Sequence, residues 1–197
     1  DVFVHSTLLA LAATLGCLVV GYPFAFLLAR QSPGRRRVLL LLVIVPFWTN
    51  SLVRSYAMRT LLAAKGVINE VLGTLGLIDK PLLLLYNDGA VVVGLLYVLL
   101  PFMVLPLYAV IEKLDEQFLE AAVDLGANRW QKFRRVVLPL TLPGVIGGSL
   151  LVFLPALSMF YVADLLGGAK SLLVGNFIKN QFLSARNWPF GAAASSV

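Results

Sequence analysis

Long apolar stretches dominate this chain and restrict what it can fold into. A hydrocarbon core of ~30 Å takes about 20 helical residues to cross. Four stretches reach that length: Val4–Ala29, Val38–Leu62, Ala90–Ile111 and Leu138–Leu165. A fifth begins near Trp188 and is cut off. In lipid every backbone N–H and C=O must be satisfied within the chain, so stretches of this length predict helices. The predicted fold class is an all-α, polytopic membrane protein, a single transmembrane domain over 1–197 with both termini read as truncated. Proline or glycine occurs in every complete stretch (Gly21 and Pro23, Pro46, Pro101 and Pro106, Pro143 and Pro155), read as kinks or close helix contacts. Only 13% of the residues are charged, where a soluble domain carries roughly 25%.

The net charge of +6 is placed like that of a membrane protein. Arg30, Arg35, Arg36 and Arg37 share one short connection without an acid, and Lys113–Arg135 holds five more bases. The alternate connections, Ala63–Gly89 and Gly167–Asn187, hold two and three. The first pair is therefore expected in the cytoplasm, with Asp1 outside and a further span upstream. Nucleic-acid binding is disfavoured, because no aromatic residues interleave a basic surface. Cys17 sits alone in an apolar run, so there is no disulfide framework. No His, Cys or carboxylate cluster has metal-ligand spacing. No catalytic constellation appears in a soluble segment, and the reading is not an enzyme. Gly167-Gly168-Ala169-Lys170-Ser171 departs from a phosphate loop because Ala169 precedes the lysine. No cofactor is expected.

The segment Leu114–Pro139 is longer than a simple connector, at 26 residues. Asp115 is placed to cap a helix whose apolar positions Phe118, Ala121, Ala122 and Leu125 follow helical spacing, and Gly126 to end it. Asn128 is expected to start a second short helix with Trp130, Phe133 and Val137 on one face. Pro139 is expected in the first turn of the returning span. An interfacial helix lying on headgroups is one reading. The acids Glu116, Glu120 and Asp124 and the small Ala121 and Ala122 favour docking of a protein partner instead.

Glu120-Ala121-Ala122, then Gly126, a basic stretch and Val137-Leu138-Pro139 resemble the EAA loop of permease subunits of bacterial ABC importers. The resemblance implies a helical permease core of the MetI-like type, with six spans in the intact protein, four complete and one partial here. It implies that Glu120, Ala121, Ala122, Gly126, Leu138 and Pro139 couple the permease to ATP hydrolysis on other subunits. The implied partners are a second homologous permease chain, two ATP-binding subunits and a periplasmic or extracytoplasmic binding protein, all at the bacterial inner membrane. Further segments resemble the spermidine/putrescine branch of these permeases: Pro46–Arg54, Leu100–Met103, Ile111–Asp115, Asp164–Lys170 and Asn187–Gly191. Permeases for other small cations or organic solutes share much of this. A passive channel or secondary transporter is the rival from another class, and the near absence of acids within the spans disfavours it. A membrane-embedded assembly or signalling subunit is a third.

A polyamine path needs carboxylates or aromatic faces. Asp164, with Phe160 and Tyr161 one turn earlier, is the leading candidate; Trp48 and Tyr97 are secondary. Asp164 and Tyr161 read equally well as an interface anchor. Arg54 reads as a snorkelling residue or one side of a structural pair, and His5 as interfacial.

Overall fold

The computed structural model describes residues 2–78, 80–168, 173–185, 188–189 and 192. The helices are α1 (Val2–Ala29), α2 (Pro33–Ile44), α3 (Ser51–Leu62), α4 (Val67–Thr74), α5 (Asp88–Ile111), α6 (Glu116–Asp124), α7 (Arg129–Lys132), α8 (Leu138–Ser158), α9 (Phe160–Val162) and α10 (Val174–Leu183). Among the described residues, three helical stretches are long and apolar enough to cross a membrane: Val2–Ala29, Asp88–Ile111 and Arg129–Ser158.

Two expected spans differ from what forms. Val38–Leu62 is not one helix. Its run is interrupted by a 3-10 turn over Val45–Trp48. Pro46 removes a donor there, and Asn50 restarts the helix by accepting from the Leu52 N–H at 2.8 Å. A fourth crossing exists only if this broken pair counts as one span. Leu138–Leu165 begins earlier and ends earlier. It continues directly from α7 through a π turn over Phe133–Val137, and Met159 interrupts it after Ser158. The Ser158 hydroxyl turns back onto the Pro155 carbonyl at 3.2 Å, a bond that bends helices. Pro139 consequently lies inside a continuous helical run, not at a fresh start. The π turn, in which the Leu138 N–H reaches the Phe133 carbonyl, widens the backbone just before the proline ring. The fifth stretch lies almost wholly outside the described residues, as does Ala169-Lys170-Ser171.

Two of the connections contain helices, α4 and α10. Asn69 of α4 is buried and clamps its loop: it donates to the carbonyls of Ala63 and Leu82 and accepts from the Leu82 N–H.

The chain divides into two compact units. The first holds Asp1–Thr14, Phe47–Val98 and Phe153–Val197; the second holds Leu15–Pro46 and Leu99–Val152. In the second, Met103 is fully buried where α1, α5 and α8 meet. A Cβ on Gly21 would lie 3.1 Å from its Cγ, and one on Gly148 2.8 Å from its sulfur, so small residues let these helices close on it. In the first, the Tyr86 N–H donates to the Leu166 carbonyl at 2.7 Å, and Arg59 donates to the Tyr86 hydroxyl at 3.3 Å.

Candidate functional site

The loop between α5 and α8 belongs to the second unit and is built from local signals. Asp115 accepts from the Gln117 N–H at 2.9 Å and starts α6. At its other end Gly126 has φ +78°. The Gly126 N–H reaches the Val123 carbonyl (2.8 Å) and the Ala127 N–H the Ala122 carbonyl (2.9 Å), a Schellman ending. Asn128 and Gln131 then exchange reciprocal bonds of 2.8 and 3.0 Å, a capping box that opens α7.

The apolar stripe expected on α6 splits. Ala122 turns inward beside Leu119, both buried, whereas Phe118, Ala121 and Leu125 are exposed. The inward pair is Leu119 and Ala122, three residues apart. The outward row of Phe118, Ala121 and Leu125 leaves an apolar face with a small residue at its centre. Glu120 is exposed and lines a groove of about 430 Å³ with Arg30, Val123, Asp124 and Lys132.

Beneath the loop, aromatic packing ties it to membrane helices. The Phe133 ring meets Tyr22 of α1 edge-on at 5.7 Å and stacks with Trp130 at 5.9 Å. The Tyr22 hydroxyl lies 2.8 Å from Thr141 Oγ1 of α8, and Thr141 donates to the Val137 carbonyl. Arg36 pairs with Glu112 at 2.8 Å, joining the two basic connections. Glu120, Ala121, Ala122 and Gly126 thus share α6 and its end, while Leu138 and Pro139 stand at the base of α8. α6 packs on the π turn that leads into them. α6 is thus connected to α8 along one helical run and to α1 through the Phe133–Tyr22 contact.

The first unit holds the other candidate residues. Asp164, on a π turn over Ala163–Gly167, receives the Lys179 ammonium and the Asn176 amide of α10, each at 2.5 Å. Lys179 also lies 5.3 Å from the centre of the Phe160 ring, and Asn176 donates to the Phe160 carbonyl at 3.1 Å. Phe160 and Tyr161 meet edge-on at 6.0 Å. Among the described residues, Trp48 and Tyr97 make no hydrogen bond or ring contact with this cluster; both are exposed. Arg54 is buried, with its guanidinium carbon 5.4 Å from the centre of the Phe47 ring. His5 lies 3.4 Å from the Asp88 carboxylate.

Sequence reasoning missed Asn176, Lys179, Tyr22 and Thr141. Asn176 and Lys179, three apart, do share a helix face. Nothing local announced the helix, and their partner is 12 to 15 residues away on another element.

Residues 21–197 match the family described as binding-protein-dependent transport system inner membrane component. The chain belongs to that family. It is 58% identical over 195 residues (99% of this chain, 71% of the relative) to the spermidine/putrescine transport system permease protein PotB of Escherichia coli strain K12. It is 60% identical over 183 residues (93% and 64%) to PotB of Haemophilus influenzae. The inner membrane ABC transporter permease protein YdcU of E. coli is 34% identical over 211 residues (100% and 66%). A crystal structure of a bacterial alginate ABC transporter, in complex with alginate pentasaccharide-bound periplasmic protein, has a chain with TM-score 0.78 at 19% identity. The match covers 98% of this chain and 70% of that one and shows a shared fold. The permease is thus an inner-membrane transport subunit of the ABC type. Its family implies ATPase and substrate-binding partners.

Proposed function

We propose that this permease lines a path for polyamines of the spermidine/putrescine type, together with a second homologous permease chain. In this reading one of two ATP-binding subunits seats on α6, an extracytoplasmic binding protein delivers the substrate, and the permease itself carries out no catalysis. ATP-driven closure of the ATPase pair moves α6 and rocks the spans between alternate openings.

The observation that carries the substrate is the 58% identity, spread over 99% of the chain, with a permease named for spermidine and putrescine. The chemistry of the first unit supports it. Asp164 and the Phe160 ring already hold a primary alkylammonium, that of Lys179, by charge and by the ring face. A polyamine offers the same group. Its entry at this point requires Lys179 to give way, so the cluster suits a path that is closed at rest.

The test is uptake of labelled spermidine into vesicles holding the purified transporter with all its partner subunits. ATP-dependent uptake, competed by putrescine, is expected. Uptake that persists without ATP would leave a passive route. ATP-driven uptake of another solute, with spermidine neither carried nor competing, would keep the transporter and discard the substrate.

A further inference from the structure

We propose that Lys179 is a built-in competitor for the substrate, its ammonium occupying the seat that a primary alkylammonium of the solute takes beside Asp164 and Phe160. In the polyamine reading on which this rests, Lys179 decides what can enter the site. The seat is complete around one ammonium. Asp164 Oδ2 receives the Lys179 ammonium at 2.5 Å, and the centre of the Phe160 ring lies 5.3 Å from the same nitrogen. The other carboxylate oxygen, Oδ1, is held by the Asn176 amide. A charge and a ring face together replace part of the water that a primary ammonium gives up. The backbone carrying them departs from regular helix: Met159 interrupts it, and a π turn runs over Ala163–Gly167. Such turns are frequent at functional sites.

Lys179 can leave this seat without undoing the fold. α10 is docked by Asn176, which is buried, donates to the Phe160 carbonyl and to Asp164, and accepts from the Leu173 N–H at 3.1 Å. Lys179 adds one ion pair between side chains that are 29% and 42% exposed, and a pair this open to water stabilises little. Its four-carbon stem lets the ammonium swing into water while α10 stays in place and Asn176 keeps Asp164 oriented. One ammonium then replaces another, so the carboxylate is never left unpaired. A neutral solute gains nothing by displacing Lys179. A cation enters only by outcompeting an ammonium tethered at high effective concentration, which makes Lys179 a specificity-determining residue.

The probe is labelled spermidine, bound at equilibrium to the membrane complex of permease chains and ATPase subunits, with the binding protein left out. Lys179→Met, which keeps the stem without the charge, should bind spermidine severalfold more tightly than wild type. Lys179→Arg should bind it severalfold more weakly, because the guanidinium fork holds a carboxylate in two bonds. A purely structural ion pair predicts the reverse, with loss in the methionine variant and rescue by arginine. That order, or equal binding in all three, would overturn the proposal. Adding Asp164→Asn to Lys179→Met should erase the gain, and a gain that survives would also overturn it. Should Lys179→Met not assemble, Lys179→Arg decides alone, and binding equal to wild type refutes the competitor. A second probe, n-butylammonium, separates the seat from the solute. Tighter butylammonium binding in Lys179→Met, with no ATP-driven spermidine uptake by wild type, would keep the seat and discard the polyamine. Spermidine uptake by wild type, with binding unchanged in every Lys179 variant, would do the opposite.

Discussion

The two units hold themselves together by different means. In the second, which carries the EAA loop, the loop rests on ring contacts and apolar burial: Tyr22, Trp130 and Phe133, with Leu119 and Ala122 beneath α6. Its Arg36–Glu112 ion pair is only partly buried. In the first, polar side chains serve as clamps. Asn69 fixes a loop, Asn176 bridges Asp164 and the Phe160 carbonyl, and Lys179 neutralises Asp164. Apolar packing tolerates the small sliding that a lever needs, whereas a buried amide released from its partners costs about 1–3 kcal/mol per orphaned group. The difference suits the two proposed roles: a part that is pushed, and a part that stays shut until displaced.

The largest expected effect concerns which side of the membrane α6 and its flanking connections meet. Cysteines at Arg36 and Asn128, in the second unit, should label only from the cytoplasm. A cysteine at Leu83, highly exposed, should label only from outside. Each site is all or none, and reversed labelling would undo the assignment of α6 to the ATPase side.

Gly126→Val comes next. Its φ of +78° is one that a β-branched residue adopts only under strain, although a Cβ there would meet nothing within 4 Å. Backbone conformation alone is therefore being tested. ATP-driven uptake should fall by more than tenfold, and Gly126→Asn, which tolerates this conformation, should restore much of it. Equal loss in both would point to crowding by a partner, not to the ending of α6.

The contrast between these tests follows what a sequence can reveal. Everything that shapes α6 lies within a few residues of it: the Asp115 cap, the Gly126 ending and the restart at Asn128 were all readable in advance, although the capping box with Gln131 was not. Which face α6 would bury was not, because helical spacing groups Phe118, Ala121, Ala122 and Leu125 without saying what packs against them. The first unit shows the same limit more strongly. Asp164 and its rings were legible as a candidate, but their occupant was not, since Lys179 sits on a helix hidden in an apparent connection. The break at Val45–Trp48 had a visible cause in Pro46. That cause is shared by Pro101 and Pro106, which α5 absorbs without interruption, and position along the chain does not distinguish them.

Severalfold effects are expected from the Asp164 cluster. Asp164→Asn should lower spermidine uptake severalfold or more with assembly intact, by comparison with Asp88→Asn. Gly175→Ala should act in the same direction without touching a charge. A Cβ there would lie 2.4 Å from the Ser158 carbonyl oxygen, so α10 must back away and carry Asn176 and Lys179 with it. If Gly175→Ala transports normally while Asp164→Asn does not, the carboxylate matters and its clamp does not.

The smallest effect tests whether the packing beneath the loop of the second unit depends on its polar bond. Tyr22→Phe removes the hydroxyl that lies 2.8 Å from Thr141 but keeps the ring that meets Phe133. Thr141 retains its own acceptor, the Val137 carbonyl at 2.9 Å, so no buried donor is stranded. The loss is then an ordinary hydrogen bond, about 1 kcal/mol, and uptake should change by less than about twofold. Tyr22→Ala also deletes the ring and leaves Phe133 unsupported above α1, so transport should fall clearly further, with ATP hydrolysis less tightly tied to it. The measurement is the ratio of spermidine imported to ATP hydrolysed in reconstituted vesicles. Equal ratios in Tyr22→Phe and Tyr22→Ala, both well below wild type, would mean that the hydroxyl is the working contact. The second unit would then rely on a polar clamp as the first does, and the contrast between them would fail.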